Sequence, residues 1–323
     1  MTAFTPANIR TWSMLGSCGA FGMAALDLPD IDDKTVIVTA DLCSFSGLER
    51  FRTRFPDRLY NVGIAEQNMI GVAAGLTKEG FNVFATTYAT FASTRSCDPV
   101  RVHMGYMGFG IKLVGLTAGL SVGILGATHM SIEDVAIMRA IPNMTVLSPA
   151  DCTETVKATL AAARHDGPVY LRLTGGMNNP VVYKEDYDFQ IGKAISLRQG
   201  DDITIIATGT MVYQALEAAK ILEAKGLSAA VIDMHTIKPL DTGLLDTAFT
   251  SSKLIVTVEE HSVIGGLGGA VAEYKSTKQN APVQLTIGIE DFFPHAGDYA
   301  HLLEKCGLTS VQIARKIAEN FIG

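Results

Sequence analysis

Short runs of β-branched and other apolar residues alternate with longer amphipathic stretches along the first part of the chain. Alternation of this kind is typical of βαβ units, in which helices separate parallel strands. We predict strands that begin at Val36, Asn82, Ile111, Met144 and Pro168. The pattern therefore predicts an α/β fold built on a mostly parallel sheet.

The most regular amphipathic stretch, EQNMIGVAAGLTKEG, begins at Glu66. At helical spacing its apolar side chains fall on one face: Met69, Val72, Ala73 and Leu76. Gly80 is the residue type expected just beyond the end of a helix. Glu66 is therefore predicted to open a helix directly after a strand.

The periodic pattern dissolves between Asn178 and Asp188, where the sequence is polar and contains a proline, and a second α/β series begins near Ile203. Breaks of this composition commonly separate domains, and 323 residues can bury two cores. We predict two mostly parallel-sheet α/β domains, residues 1–188 and residues 189–323.

Composition narrows the class of partner. The formal net charge is −7 and no basic block occurs, which argues against nucleic acid or an anionic membrane as the partner. The five cysteines form no C-x-x-C pair, so neither a disulfide framework nor a zinc site is predicted. With no signal-like opening and no apolar run of membrane length, we expect a cytoplasmic protein that acts on a small molecule.

Candidate chemistry lies where three predicted strands end. Glu66 stands at one strand-to-helix junction, Tyr88 and Phe91 follow the next strand, and His129 lies in a glycine-rich loop after the third. An acid in the first turn also complements the helix dipole, and a lone histidine is often structural, so spacing alone leaves that interpretation open. The functional alternative is a shared site, because ligands bind open α/β sheets at the carboxyl ends of strands.

The run DRLYNVGIAEQNMIGVAAGL, which begins at Asp57, resembles the glutamate signature of the pyrimidine-binding domain in transketolases and deoxyxylulose-phosphate synthases. ATTYATF from Ala85, GATHMSIEDVAIMRAIPNMTVLSPAD from Gly126, and then IDMHTIKPLD and VEEHSVIGGLGGAVAE follow in the order of that family. The resemblance extends from Ala40 to the last predicted helix. It implies a thiamine-diphosphate pyrimidine-binding domain followed by a transketolase C-terminal-type domain.

The resemblance implies roles around the cofactor thiamine diphosphate. Glu66 would hydrogen-bond a pyrimidine ring nitrogen and favour the tautomer that removes the thiazolium proton, which is catalysis by a positioned acid–base group. Phe91 would stack on the pyrimidine, with Tyr88 beside it. Asp41 matches an acid near the cofactor and the subunit interface.

Three residues are implied to bind substrate. His129 matches a catalytic histidine that contacts hydroxyls at the reacting carbons, and Arg10 matches an arginine that helps hold a sugar phosphate. Arg172 is a further candidate for binding the anionic group, although it is equally plausible as a structural charge at a strand end.

Full-length transketolases coordinate magnesium through a G-D-G motif in a diphosphate-binding domain, and no G-D-G occurs in this sequence. A diphosphate needs a hard cation with oxygen ligands. Mg²⁺ is therefore expected to be bound mainly by a separate N-terminal diphosphate-binding subunit, and no metal ligand is predicted here.

The resemblance implies one half of a split transketolase, a heteromer with two copies of each subunit. It would transfer a two-carbon ketol unit between sugar phosphates or related anionic sugars.

Four positions depart from the family pattern near the sugar: Phe45, Thr117, Leu125 and Gly175. Leu125 stands where many transketolases have an acid, and Gly175 where they have a second phosphate-binding arginine, for which Arg101 could compensate. Sulfonated or branched sugars are therefore included among the expected substrates, and the exact donor and acceptor stay open.

Two other functions stay open. One is the beta subunit of a 2-oxo acid dehydrogenase, which uses an equivalent glutamate, and the other is a non-catalytic assembly subunit. The motif THMSIEDVAIMRAIPN favours a transketolase, and the retained Glu66 counts against lost catalysis. The glycine run Gly265–Gly269 lacks the third glycine of a dinucleotide fingerprint, so we interpret it as tight packing at a helix start.

Overall fold

A computed structural model gives the structure of residues 3–321. The first half of the chain supplies these strands: β1 (Thr35–Thr39), β2 (Leu59–Asn61), β3 (Asn82–Tyr88), β4 (Lys112–Ala118), β5 (Thr145–Leu147) and β6 (Val169–Thr174). The second half supplies these: β7 (Ile195–Arg198), β8 (Ile203–Ala207), β9 (Ala229–Asp233), β10 (Thr236–Lys238), β11 (Leu254–Ser262) and β12 (Val283–Ile289). They form a seven-stranded sheet in the order β10-β5-β6-β4-β3-β1-β2 and a five-stranded sheet in the order β12-β11-β8-β9-β7.

Both sheets are mostly parallel, which confirms the predicted fold class. Between residues 3 and 321, the antiparallel pairs within the two sheets are β10 with β5 and β7 with β9. Every residue of β1, β6, β8 and β9 is buried. Parallel strands covered by helices on both faces need apolar side chains on both sides, which explains their nearly continuous apolar sequences.

The helices of the first half are α1 (Pro6–Ala25), α2 (Leu28–Ile31), α3 (Glu49–Arg54), α4 (Glu66–Lys78), α5 (Cys97–Val100), α6 (Asp134–Ala140) and α7 (Cys152–Ala163). Those of the second half are α8 (Met211–Glu223), α9 (Thr242–Ser251), α10 (Leu267–Lys275), α11 (Tyr299–Lys305) and α12 (Ser310–Asn320). None of these helices is both long enough and apolar enough to span a lipid bilayer, in the part of the chain that the structure describes.

Helix α4 begins at Glu66, as predicted, and ends at Lys78, and Gly80 follows in the left-handed region at φ 85°. Met69 and Ala73, two of the four residues predicted on its packed face, are fully buried, and the other two are half-buried. This face joins the same apolar core as β3 and β4. That packing fixes the first turn of α4, and with it Glu66, at the edge of the first sheet.

The two halves are joined more closely than the sequence indicates. Strand β10 comes from the second half but pairs with β5 of the first sheet, with Thr236 opposite Leu147. The segment between Asn178 and Asp188 has no helix or strand, yet it is packed against both halves, and Tyr183 within it is buried. The domain boundary at residue 188 stays a prediction, since strand pairing and side-chain packing both cross it.

A buried carboxyl cluster lies where the halves meet. Glu154 of α7 and Asp233 at the end of β9 are fully buried. They accept hydrogen bonds from tyrosine hydroxyls, Tyr187 to Glu154 at 2.6 Å and Tyr183 to Asp233 at 2.7 Å. Burial raises the pKa of Glu154 well above its usual range and that of Asp233 to about 7. This junction, which we call the carboxyl junction, therefore holds a proton near neutral pH.

Candidate active site

The carboxyl ends of four neighbouring strands meet at one edge of the first sheet, in the order β4-β3-β1-β2. Glu66 follows β2, Tyr88 ends β3, and His129 lies in the loop after β4. The rings of Tyr88 and His129 are 5.4 Å apart between centroids. Residues from distant parts of the sequence are thus placed together at the sheet edge where ligands of α/β folds bind.

Glu66 is the first residue of α4, and its side chain is 4% exposed. Its Oε1 accepts a hydrogen bond from Nη1 of Arg95 at 2.7 Å. The turn before it is held by Asn61, whose Oδ1 accepts from the backbone N–H groups of Gly63 and Asp41 at 3.0 Å. A buried carboxylate is thereby fixed at a helix N-terminus, where the helix dipole favours negative charge.

Four aromatic rings, which we call the ring cluster, lie at the same edge: Phe45, Tyr88, Phe91 and His129. Tyr88 and Phe91 are 5.9 Å apart, and His129 lies 5.3 Å from Phe91, with each of these pairs of rings steeply inclined. Phe45 lies 6.0 Å from Tyr88 and is 63% exposed. Edge-to-face contacts of this kind hold aromatic rings in fixed orientations, so the cluster offers an ordered apolar surface at its opening.

Arg95 is a site residue that the sequence analysis missed. Phe91–Arg95 form a π-helical turn, a feature often found at functional sites. The guanidinium carbon of Arg95 lies 3.9 Å from the centroid of the Phe91 ring. The available signal was an arginine four residues after an aromatic residue, which gains meaning only once the turn is known. One side chain therefore contacts both Glu66 and the ring cluster.

Asp41 lies directly after β1 at the same sheet edge and is exposed. Its backbone has φ 59°, in the left-handed region that few residues other than glycine adopt and that aspartate tolerates better than most. Asn61 supports this conformation, since its Nδ2 donates to Asp41 Oδ1 at 2.9 Å. Asp41 and the Glu66 turn are thus fixed by one asparagine, and the role of Asp41 near the cofactor or a subunit interface stays a prediction.

Arg172 lies apart from the ring cluster in the protein core. Its side chain is 1% exposed, its Nε donates to Asp134 Oδ2 at 2.8 Å, and its Nη2 donates to the carbonyl of Glu260 at 2.9 Å. These hydrogen bonds hold the guanidinium in the protein interior, so we do not propose Arg172 as a substrate ligand. Arg10 lies exposed on α1, and its predicted role in holding a sugar phosphate stays a prediction.

The four departures from the family pattern have different structural settings. Gly175 has φ 77°, and a Cβ there would lie 2.8 Å from both Asn179 Nδ2 and Thr210 Cγ2, so this backbone conformation excludes an arginine. Leu125 is 50% exposed in the loop that carries His129. The others are Phe45, in the ring cluster, and Thr117, which has φ 51°.

The glycine run at the start of α10 surrounds a carboxylate of the chain itself. Glu259 accepts from the backbone N–H groups of Leu267 at 2.6 Å and Gly268 at 2.8 Å. A Cβ at Gly266 would lie 2.0 Å from Glu259 Oε2, so this glycine allows the close approach. Glu259 occupies the helix N-terminus where a nucleotide phosphate would bind, which agrees with tight packing rather than a dinucleotide site.

Comparison with known families follows the two halves of the fold. Residues 17–179 match the family described as transketolase, pyrimidine binding domain, and residues 192–313 match the family described as transketolase, C-terminal domain. The chain belongs to the transketolase family. Within that family it corresponds to the pyrimidine-binding and C-terminal domains, in that order.

Several relatives have about the same length as this chain and align with nearly all of it. A protein of Methanocaldococcus jannaschii named as a transketolase C-terminal section is 42% identical over 93% of this chain and 94% of its own length. The 6-deoxy-6-sulfo-D-fructose transketolase subunit of Clostridium sp. strain MSTE9 is 43% identical over 91% of both chains. An apulose-4-phosphate transketolase subunit of Phocaeicola vulgatus is 36% identical over 95% of this chain and 98% of its own.

A solved structure agrees with these relatives. It is described as split gene transketolase, inactive beta4 tetramer, and matches with a TM-score of 0.88 and 41% identity over 95% of this chain and 98% of that one. The chain is a split-transketolase subunit of the C-terminal type, as the motifs predicted.

Proposed function

We propose that this chain supplies the pyrimidine half of a thiamine diphosphate site and works with a separate diphosphate-binding subunit. The observation that carries the proposal is a buried carboxylate, Glu66, beside the ring cluster at one sheet edge. A flat pyrimidine needs this combination of a hydrogen-bonding group and apolar rings. Relatives named as subunits support a heteromer, for which we propose two copies of each chain.

Mg²⁺ is assigned to the other subunit. Within residues 3–321, no three His, Cys, Asp or Glu side chains are grouped so that they could hold a metal ion. A diphosphate bound without such oxygen ligands would keep its charge uncompensated. The chain should therefore bind thiamine diphosphate weakly or not at all by itself.

Glu66 would hold a proton on a pyrimidine nitrogen beside the ring cluster. Phe91 and Tyr88 would hold the flat ring by stacking and burial. His129, whose Nδ1 lies 3.0 Å from the Thr128 hydroxyl, would contact substrate hydroxyls through Nε2. When bound, thiamine diphosphate supplies the electron sink that ketol transfer requires.

For the donor we propose an anionic ketose that differs from ordinary pentose-pathway ketoses in a hydroxyl position or in its terminal group. Leu125 cannot accept a hydrogen bond from a sugar hydroxyl, and the backbone at Gly175 excludes an arginine. Arg10 is the proposed ligand for the anionic group. Two relatives are named for a sulfonated fructose and for apulose 4-phosphate, which supports a substrate of this wider class.

Reconstitution tests the proposal. The chain is co-expressed with a partner subunit that contains G-D-G, and the purified complex is assayed with Mg²⁺ and thiamine diphosphate. The donors are xylulose 5-phosphate, a 6-sulfonated ketose and apulose 4-phosphate, and 2-oxo acids form a separate arm. Ketol transfer that needs both chains supports the proposal, whereas turnover of 2-oxo acids alone overturns it. A highest kcat/KM for xylulose 5-phosphate would overturn only the donor assignment.

A further inference from the structure

The Arg95 side chain contacts both of the groups that the pyrimidine of the cofactor would need, the Glu66 carboxylate and the Phe91 ring. Its Nη1 donates to Glu66 Oε1 at 2.7 Å, and its guanidinium carbon lies 3.9 Å from the centre of the Phe91 ring. The two other rings near Phe91 are inclined to it by 80° and 67°, so neither stacks parallel on it. In the chain alone, the carboxylate and the stacking surface are thus engaged by one side chain.

A guanidinium and an aminopyrimidine share the features that these two groups recognise. Both are flat and delocalised, and both can donate an N–H to a carboxylate. The guanidinium also gains a cation–π contact over the ring. For the cofactor to bind Glu66 Oε1 and the ring face that Arg95 covers, the Arg95 side chain must first move away.

Arg95 can leave without disturbing the fold around it. Its side chain is 45% exposed, so its charge can be solvated when it turns outward. The turn is held instead through the backbone, because the Arg95 carbonyl accepts from Gln67 Nε2 at 3.0 Å. Motion of the guanidinium therefore needs no change in α4 or in the π-helical turn.

We propose that Arg95 is a gate that closes the pyrimidine site of the free chain and must release Glu66 before the cofactor binds. This rests on the proposed function, since it concerns the same thiamine diphosphate site. The gate keeps the buried carboxylate of Glu66 paired until the partner subunit delivers the cofactor with its diphosphate and metal. Cofactor affinity is lowered in return, because the contacts of Arg95 must be broken first.

The test measures thiamine diphosphate affinity of the reconstituted complex by calorimetry at fixed Mg²⁺. Arg95→Met keeps an unbranched apolar side chain but removes the charge and the donors. The matched control is Arg54→Met, since Arg54 is also an exposed arginine over a phenylalanine, 5.0 Å from the Phe55 ring. We expect Arg95→Met to lower the Kd by about three- to tenfold, the usual worth of an exposed ion pair and cation–π contact. The control should leave Kd unchanged.

A second comparison isolates the contact with Glu66. In a Glu66→Gln background the ion pair is already lost, so Arg95→Met should change the Kd by about twofold, the share of the stacking contact. Equal or weaker cofactor binding by Arg95→Met, in a complex with wild-type thermal stability, overturns the gate and leaves the proposed function standing. If Arg95→Met lowers that stability, Arg95→Lys, which keeps the charge but not the flat surface, must bind the cofactor more tightly than wild type. A wild-type complex that binds no thiamine diphosphate overturns both proposals.

Discussion

Glu66 and Glu154 are both buried carboxylates at the start of helices in the first half of the chain, yet their surroundings differ. Glu66 lies at the open edge of the sheet and is paired with a side chain that is 45% exposed. Glu154 lies in the carboxyl junction, where its neighbours are a tyrosine hydroxyl, a backbone N–H group and the second carboxyl, Asp233.

The difference shows that burial of an acid does not by itself mark a functional site. Burial raises the pKa of Glu154 and of Asp233, which connect the two halves of the protein. Perturbed pKa values cluster at active sites, but buried structural networks perturb them too. What distinguishes Glu66 is access: its partner Arg95 can be exchanged for a ligand, whereas the partners of Glu154 are fixed by the core.

Substitution at Glu66 should give the largest effect. Glu66→Gln keeps the volume of the side chain but cannot hold the proton that the pyrimidine needs, so turnover of the complex should fall by about 10²- to 10⁴-fold. Steady-state assays and thermal unfolding, run on the same preparation, separate this loss from misfolding. Near-wild-type turnover, with normal deuterium exchange of the bound cofactor, would show that Glu66 has been assigned the wrong role.

Arg172 tests the structural side of the comparison. Arg172→Met leaves Asp134 buried without its charge partner, which should lower the free energy of unfolding by about 3 to 5 kcal/mol. Chemical denaturation measures it, with the exposed Arg54→Met as the control. Turnover per folded complex should stay close to wild type. If the variant instead has normal stability and a raised KM for the donor, Arg172 binds substrate as the sequence resemblance implied.

The carboxyl junction should make stability depend on pH in the direction opposite to a salt-bridged acid. Burial raises the folded-state pKa of Asp233 to about 7 and that of Glu154 well above its usual range, so the folded chain holds protons that the unfolded chain has released. The contribution of the carboxyl junction to the free energy of unfolding should therefore fall as pH rises from about 4 through 7, by about 3 kcal/mol for Asp233 alone. Burial lowers the pKa of His235 to about 4, so this histidine contributes in the opposite direction over the same range.

Asp233→Asn tests this dependence. The amide can still accept from Tyr183 and can donate to Glu154, so the fall in stability that Asp233 contributes between pH 4 and 7 should be absent when denaturation curves of the variant and the wild type are compared across that range. Glu185→Gln, at an exposed carboxylate in the joining segment, should keep the wild-type slope. An unchanged slope in Asp233→Asn would mean that the junction carries no proton of its own.

The smallest expected effect concerns specificity. Leu125→Asp restores an acceptor for a sugar hydroxyl, so kcat/KM for xylulose 5-phosphate should rise relative to the preferred donor by about tenfold, the worth of one hydrogen bond to a charged group. A competition assay with the purified complex measures the ratio directly. Leu125→Asn, which has an uncharged acceptor, should give a smaller gain. If neither variant changes the ratio, Leu125 does not determine the choice of donor.

The sequence predicted what depends on local periodicity and motif order. The start of α4 at Glu66, the strand end that carries Tyr88 and the position of His129 in the loop after β4 follow from apolar spacing, and the structure confirms these positions in the fold. Arg95 could not be found in that way, because its contact with Glu66 joins residues 29 positions apart through a π-helical turn. The burial of Arg172 likewise depends on Asp134, which reaches it from a separate helix.

Strand β10 also escaped prediction, because three residues of a distant segment complete the edge of the first sheet. Its position matters for anyone who wishes to recombine modules of this family. A chimera joined within the segment between the two sheets would pair a foreign β10 with the native β5, or leave β5 as an open edge prone to self-association. Functional exchange of the C-terminal module would therefore require matching β10 to its host sheet, so the practical unit of recombination is larger than either sheet.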